Sequence, residues 1–213
     1  MRALLIAAKE TAFAKTRLGR LPQRERELLA QAMFRDVLEA AMNFKAAECV
    51  AVVSSDDALL EMAGRAGAVV IDERYPRGLN AAVAMATREL AAGGVTTLCT
   101  LLSDTPLVSA ADIEQVFAAA CWERGVVLAP SRDERGTNII LRRPADVIPT
   151  RFGKRSLALH RAECARLNLP CKVLPLPGPA MDLDEVADLI AFISVANNSH
   201  TLSQLLRFEL ALS

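Results

Sequence analysis

Short apolar runs alternate with amphipathic stretches from the second residue onward, and that rhythm leaves few folds open. "RALLIAA", "CVAVVSS", "GAVVID" and "VTTLCTLLSD" read as buried strands. Between them, "PQRERELLAQAMFRDVLEAAMN", "DDALLEMAGRA" and "GLNAAVAMATRELAAGG" carry apolar residues at helical spacing. In the first of these, Leu28, Leu29, Ala32, Met33, Val37, Ala40 and Ala41 make one stripe, with Pro22 in the opening turn. Strands that alternate with helices predict an α/β chain: a mainly parallel sheet covered on both faces.

One passage breaks the rhythm. "GVVLAPSRDERGTNIILRR" holds two strands with no helix between them, so an antiparallel insertion is expected there. "SAADIEQVFAAACWER", with Ser109 as N-cap, "SLALHRAECARLN" and "DLDEVADLIAFISVA" complete the helices, and "CKVLPL" a short strand. The count is about seven strands in one mixed sheet. Residues 1–196 read as a single domain, within reach of a chain of 213 residues. The tail, 197–213, reads equally as a docked helix or as a partner contact, the latter opening the way to a homodimer.

Composition narrows the function. Formal net charge is zero, which argues against nucleic acid or a membrane surface as the partner. The apolar start, Ala3 to Ala8, is cut by Lys9 and Glu10, too short for a membrane span or a secretory core. Cys49, Cys99, Cys121, Cys164 and Cys171 show no metal-ligand spacing and read as reduced thiols. A cytoplasmic protein is expected.

In such sheets ligands sit beyond the carboxyl ends of the strands, so the loops there carry the chemistry. The first, "AAKETAFAKTRLGRL", offers Lys9, Lys15 and Arg17 but neither a P-loop nor a dinucleotide fingerprint. It reads either as a triphosphate-binding loop or as a solvated charged segment. In "LLSDTPL", Asp104 follows an apolar strand that Pro106 stops; it suits a Mg²⁺ ligand or a turn cap. In "AMDLDEVADL", Asp182 and Asp184 both face one way if the segment is extended, while Asp184 is an N-cap if a helix starts there. Gly78, Leu79 and Asn80 open a helix whose first N–H groups are free for a ligand, with Asn80 alternatively a cap. In "SRDERGTNIILRRP", a hairpin corner accounts for Gly136 but not for the hydrogen-bonding pair Thr137-Asn138 at the mouth of the strand.

Taken in order, "AKTRL", "GLNAAVAMA", "LLSDTPL", "APSRDERGTNIILRRP", "FGKRSLALH" and "MDLDEVADL" resemble the guanylyltransferases that activate a small phosphorylated acid in coenzyme F-420 biosynthesis, the 2-phospholactate and phosphoenolpyruvate guanylyltransferases. The resemblance spans roughly residues 2–190, and the pairing of "GTN" with "FG..S" is its most specific part. It departs from the family's habit in two places: no proline follows the early lysine, and "SDTPL" stands where "ADLPL" is usual. It implies a Rossmann-like three-layer α/β/α fold of the nucleotide-diphospho-sugar transferase type, binding GTP and Mg²⁺. Lys15, Arg17 and Asp104 would be catalytic. Lys9, Lys15 and Arg17 match the phosphate loop, Gly78, Leu79 and Asn80 the nucleotide side, and Asp104, Asp182 and Asp184 the metal site. Thr137, Gly153 and Ser156 match the acceptor's phosphate site, with Lys154 and Arg155 nearby.

The residue inventory suits that chemistry. The two histidines, His160 and His200, lie off the strand-end loops and read as packing or surface residues. No nucleophile–base pair is suggested. A phosphomonoester needs none, because its second pKa of about 6 leaves it largely dianionic at neutral pH. The task is to bring two anions together, which cations and positioning accomplish. The expected acceptor is 2-phospho-L-lactate, phosphoenolpyruvate or 3-phosphoglycerate. The rival readings are a nucleotidyltransferase for a sugar phosphate or molybdopterin-type acceptor, and a catalytically silent nucleotide-binding protein.

Overall fold

The computed structural model describes every residue except Ala14, Thr16, Arg17, Arg20 and Ser213; for Phe13 and 209–212 it describes the backbone alone. The elements run β1 (Arg2–Ala7), α1 (Gln23–Asn43), β2 (Cys49–Ser54), α2 (Asp57–Arg65), β3 (Val69–Asp72), α3 (Leu79–Ala92), β4 (Thr97–Leu102) and α4 (Ala110–Ala119). Then follow β5 (Gly125–Pro130), β6 (Thr137–Arg143), α5 (Ser156–Arg166), β7 (Cys171–Val173), α6 (Val186–Val195) and α7 (His200–Leu212). A short 3₁₀ turn, Thr11–Phe13, follows β1.

The seven strands form one sheet in the order β3-β2-β1-β4-β6-β5-β7. Only β6 runs against its neighbours, antiparallel to both β4 and β5. Alternate residues along each strand feed two separate apolar layers. Leu4, Ile6, Val52, Leu101 and Ile139 pack under α1, α2 and α4. Leu5, Ala51, Val53, Leu98 and Ile140 pack under α3 and α5. Leu4, Leu5 and Ile6 are fully buried, and each such side chain contributes about 1.5–3 kcal/mol by leaving water. This is a three-layer α/β/α Rossmann-like fold, with the antiparallel insertion in the hairpin where the alternation broke.

Helix ends follow their local chemistry. Ser109 caps α4 in a reciprocal pair with Asp112. Asp56 caps α2 by accepting from Ala58 and Leu59, and its other oxygen accepts the N–H and hydroxyl of Thr11. That carboxylate, held below its usual pKa by these bonds against the opposing effect of burial, ties the β1 loop to β2. The tail is a helix lying along α1. Asp36 accepts the first N–H groups of α7, from His200 and Thr201, and Leu205 and Phe208 join a third cluster with Leu29, Met33 and Phe192.

Candidate active site

Strand order decides what meets at the carboxyl edge. β1 and β4 are parallel neighbours in register from Arg2↔Thr97 to Ala7↔Leu102, so the loops that follow them are adjacent. There Lys15 Nζ lies 3.1 Å from Asp104 Oδ2 and 2.9 Å from Asp184 Oδ1. The Lys15 side chain is only 5% exposed, against 32% for Asp104 and 41% for Asp184. Burial works against the Lys15 ammonium, yet the two carboxylates prevail and its pKa is raised. The segment bearing Asp182 and Asp184 is held beside Asp104 by a backbone bond from Leu183 N to Asp104 O. Asp182 has its pKa raised, first by burial and then by the Asp104 and Asp184 charges. Glu185 is the N-cap of α6, in a capping box with Asp188, which accepts from Asp184 N and Glu185 N; Asp184 therefore lies one residue before the cap.

The reversal of β6 brings its first residues to this same edge: Ile139 pairs with Leu101 near the end of β4. A bulge splits the two residues that the turn alone left unexplained. Pro130 pairs with Thr137 and Ala129 with Ile139, leaving Asn138 as the extra residue. Thr137 turns to α5, where its Oγ1 lies 3.1 Å from His160 Nδ1. Asn138 turns the other way and donates to Pro179 O at 2.8 Å, holding the chain that leads to Asp182. Gly136 has a tighter duty than a simple corner. A Cβ there would sit 2.6 Å from Ser131 Oγ, the atom that receives the Gly136 N–H.

The third component is the segment before α5. Gly153 has φ +121°, outside the range of L side chains, and no heavy atom lies within 4 Å of where its Cβ would be. Ser156 opens α5 and is buried. Lys154 and Arg155 are exposed. Asn80 reaches this segment from α3. Its Nδ2 donates to Phe152 O at 3.0 Å and its Oδ1 accepts Phe152 N at 2.8 Å. The sequence suggested a nucleotide contact or a cap. Gly78 is the N-cap of α3, so Asn80 is not the cap, and its amide clamps the Phe152 backbone. Asn80→Ala should therefore destabilise the fold by about 1–3 kcal/mol, two neutral hydrogen bonds' worth, in a chemical denaturation experiment. An unchanged denaturation midpoint would show the clamp to be energetically idle.

Among the described residues, then, Lys15, Asp104 and Asp184 meet directly, and Asp182 feels the charge of both other carboxylates. Thr137 and Ser156 lie on facing elements, β6 and α5, with Gly153 between them in the chain. Lys9 is exposed on the β1 loop, with no bond to the cluster. Arg17 lies outside the described residues. His160, read from the sequence as a packing or surface residue, is fully buried and touches Thr137. Its signal was spacing: Ser156 and His160 are four apart on α5 and so share a face.

A divalent cation fits the acidic cluster. Among the described residues, the buried Asp104 Oδ1 has no hydrogen-bond partner, so it can accept a cation or a donor. Among the described residues no three acidic, histidine or cysteine side chains are already gathered as a metal cage. Mg²⁺ does not need one, since it is commonly held by one or two carboxylates together with substrate phosphates and water.

The family model described as guanylyl transferase CofC like matches residues 1–213. The chain belongs to this family. Phosphoenolpyruvate guanylyltransferase from Sphaerobacter thermophilus is 36% identical over 186 residues, covering 87% of this chain and 89% of the relative. The Chloroflexus aggregans enzyme of the same name is 33% identical over 187 residues, covering 85% and 92%. Among solved structures, a chain from Desulfovibrio desulfuricans G20 assigned as a nucleotide-diphospho-sugar transferase superposes with a TM-score of 0.79 at 19% identity, covering 98% of this chain and 95% of that one. A nucleotidyl transferase from Methanothermobacter gives 0.66 at 15%, covering 95% and 98%. The CofC-like family thus sits on the nucleotide-diphospho-sugar transferase-like fold, and the match extends through α7, beyond the stretch that the motifs alone covered. No helix among the described residues is long and apolar enough to cross a membrane.

Proposed function

We propose that the protein is a Mg²⁺-dependent guanylyltransferase that transfers GMP from GTP to a small phosphorylated acid, as an enzyme of coenzyme F-420 biosynthesis. The observation that carries this reading is the lysine–carboxylate cluster at the sheet edge to which the reversed β6 brings Thr137. An oxygen of the acceptor's phosphate attacks the α-phosphorus of GTP. The bond from the α-phosphorus to the bridging oxygen breaks, and pyrophosphate leaves with that oxygen. Lys15 offsets negative charge at the junction of the two substrates. Thr137, Ser156 and the N–H groups around Gly153 hold the acceptor's phosphate. The start of α3, at Gly78 and Leu79, offers free N–H groups to the nucleotide. Asp104, with Asp182 and Asp184, would hold Mg²⁺, which supplies charge neutralisation across the phosphates. The names of the relatives favour phosphoenolpyruvate as acceptor, with 2-phospho-L-lactate and 3-phosphoglycerate as alternatives of the same chemistry.

The test is to incubate the protein with GTP, Mg²⁺ and each of the three acids and follow pyrophosphate release. Release with none of them sinks the proposal, and equal efficiency with ATP sinks the choice of GTP. A sharper probe is Thr137→Val. It keeps the branched shape and deletes the donor. Hydrogen bonds to charged groups contribute about 1.5–3 kcal/mol, so kcat/KM for the acid should fall about 10- to 100-fold. GTP affinity measured without acceptor should be unchanged, and Thr137→Ser should recover most of the loss. Weaker GTP binding with an intact acceptor KM would put the acceptor on the other side of the cluster.

A further inference from the structure

His160 is fully buried on α5 and makes two bonds that together fix where its proton sits. Its Nε2 lies 2.7 Å from the backbone nitrogen of Arg151. A peptide N–H can only donate, so Nε2 must present a lone pair. A neutral ring then carries its one proton on Nδ1, which faces Thr137 Oγ1 at 3.1 Å. Burial, aided by two neighbouring guanidinium groups, favours the neutral ring. Burial lowers its pKa most, followed by Arg142 from β6 and Arg151 from the segment before α5, with Glu163 on α5 opposing, and the result is about 4. Arg142 is itself buried and bound to Thr87 Oγ1 and Ile148 O, so its charge stays in place.

The consequence falls on Thr137. Its oxygen is the acceptor toward the ring, and its own hydroxyl proton must therefore point elsewhere. We propose that His160 is a positioning residue: as the fixed Nδ1–H tautomer it makes Thr137 a hydrogen-bond donor toward the bound acid, and by accepting Arg151 N–H it sets the backbone that leads to Gly153. Asn80 grips the next peptide from the other side. The loop that presents Gly153 is thus held by side chains from α3 and α5, two elements that the sheet keeps rigid. The inference rests on the reading of Thr137 as a contact to the acceptor's phosphate.

Two measurements test it. With only two histidines in the chain, nitrogen NMR of histidine-labelled protein, assigned through His200→Asn, reads the tautomer directly. A neutral Nδ1–H ring is expected from neutral pH down to about pH 5, one unit above the shifted pKa. An Nε2–H ring, or an imidazolium at neutral pH, overturns the proposal whether or not any variant folds. The second measurement separates the two bonds. His160→Asn places an amide N–H where Nδ1–H was, and His160→Gln keeps an acceptor near Arg151 but loses that donor. His160→Gln should raise KM for the acid about 10-fold with GTP affinity unchanged, and His160→Asn by about 3-fold or less. In a Thr137→Val background His160→Gln should add nothing, because His160 acts through that hydroxyl. Additive losses would reduce His160 to a packing residue. Absence of turnover by the unaltered protein would instead remove the reading of Thr137, leaving the tautomer result to stand by itself.

Discussion

Asp104→Asn is expected to lower turnover by at least about 100-fold, the scale seen when one strong electrostatic stabiliser is removed from a transition state. The substitution keeps size and shape but deletes the charge. It also replaces an oxygen with an amide N–H, which either faces the Lys15 ammonium or takes the place of Oδ1, which has no partner among the described residues. The fold should survive. Asp104 lies in the turn after β4 rather than in the core, its removal eases repulsion with Asp182, and Lys15 keeps its pairing with Asp184. Steady-state rates at saturating Mg²⁺, beside a thermal melt, make the check. Near-normal turnover would remove Asp104 from the metal site.

Lys15→Met should produce a loss of similar size, about 100-fold, with an opposite effect on cation binding. Lys15 is the buried positive charge between Asp104 and Asp184. Without it, the proposed junction of two anionic substrates loses a counter-charge, and both carboxylates lose the Lys15 ammonium. Those carboxylates should then take a divalent cation at least about tenfold more tightly in the absence of nucleotide, since a competing unit charge about 3 Å away has gone. Calorimetric titration with Mg²⁺ or Mn²⁺ reads this directly. Tighter cation binding beside lower turnover is the expected pair. Unchanged turnover would make Lys15 a structural counter-ion only.

Much of this architecture was legible before any coordinates. Apolar runs of strand length and stripes of helical spacing report burial, and burial is what a parallel sheet imposes on its strands. The break in alternation at "GVVLAPSRDERGTNIILRR" located β5 and β6 for the same reason. Side-chain partners were less legible. An asparagine at the start of a helix has the same local sequence whether it caps, reads a base or clamps a peptide. Its partner Phe152 is 72 residues away, and no periodicity carries that distance. His160 was hidden likewise, since a lone histidine in a helix gives no sign that a bulge has turned Thr137 to meet it. Whether Asp184 caps α6 was likewise open in the sequence, and only the capping box of Glu185 with Asp188 puts the helix start one residue later. The tail's two readings could not be separated from pattern either. An amphipathic helix docks on its own chain or on another with the same face, and only the Asp36 contacts place α7 on α1.

The hairpin has a consequence for how such a protein diversifies. Because β6 runs backwards, Thr137, Gly153, Ser156 and His160 all come from one unbroken stretch that crosses the edge and returns. The cluster of Lys15, Asp104 and Asp184, by contrast, is drawn from segments scattered along the whole chain. One half of the candidate site is therefore a cassette and the other is a framework. On the proposed function, substitutions confined to the cassette would retune which acid is held while sparing the residues that meet at the lysine. Exchange of that single segment between relatives would then be the smallest graft expected to carry acceptor preference with it.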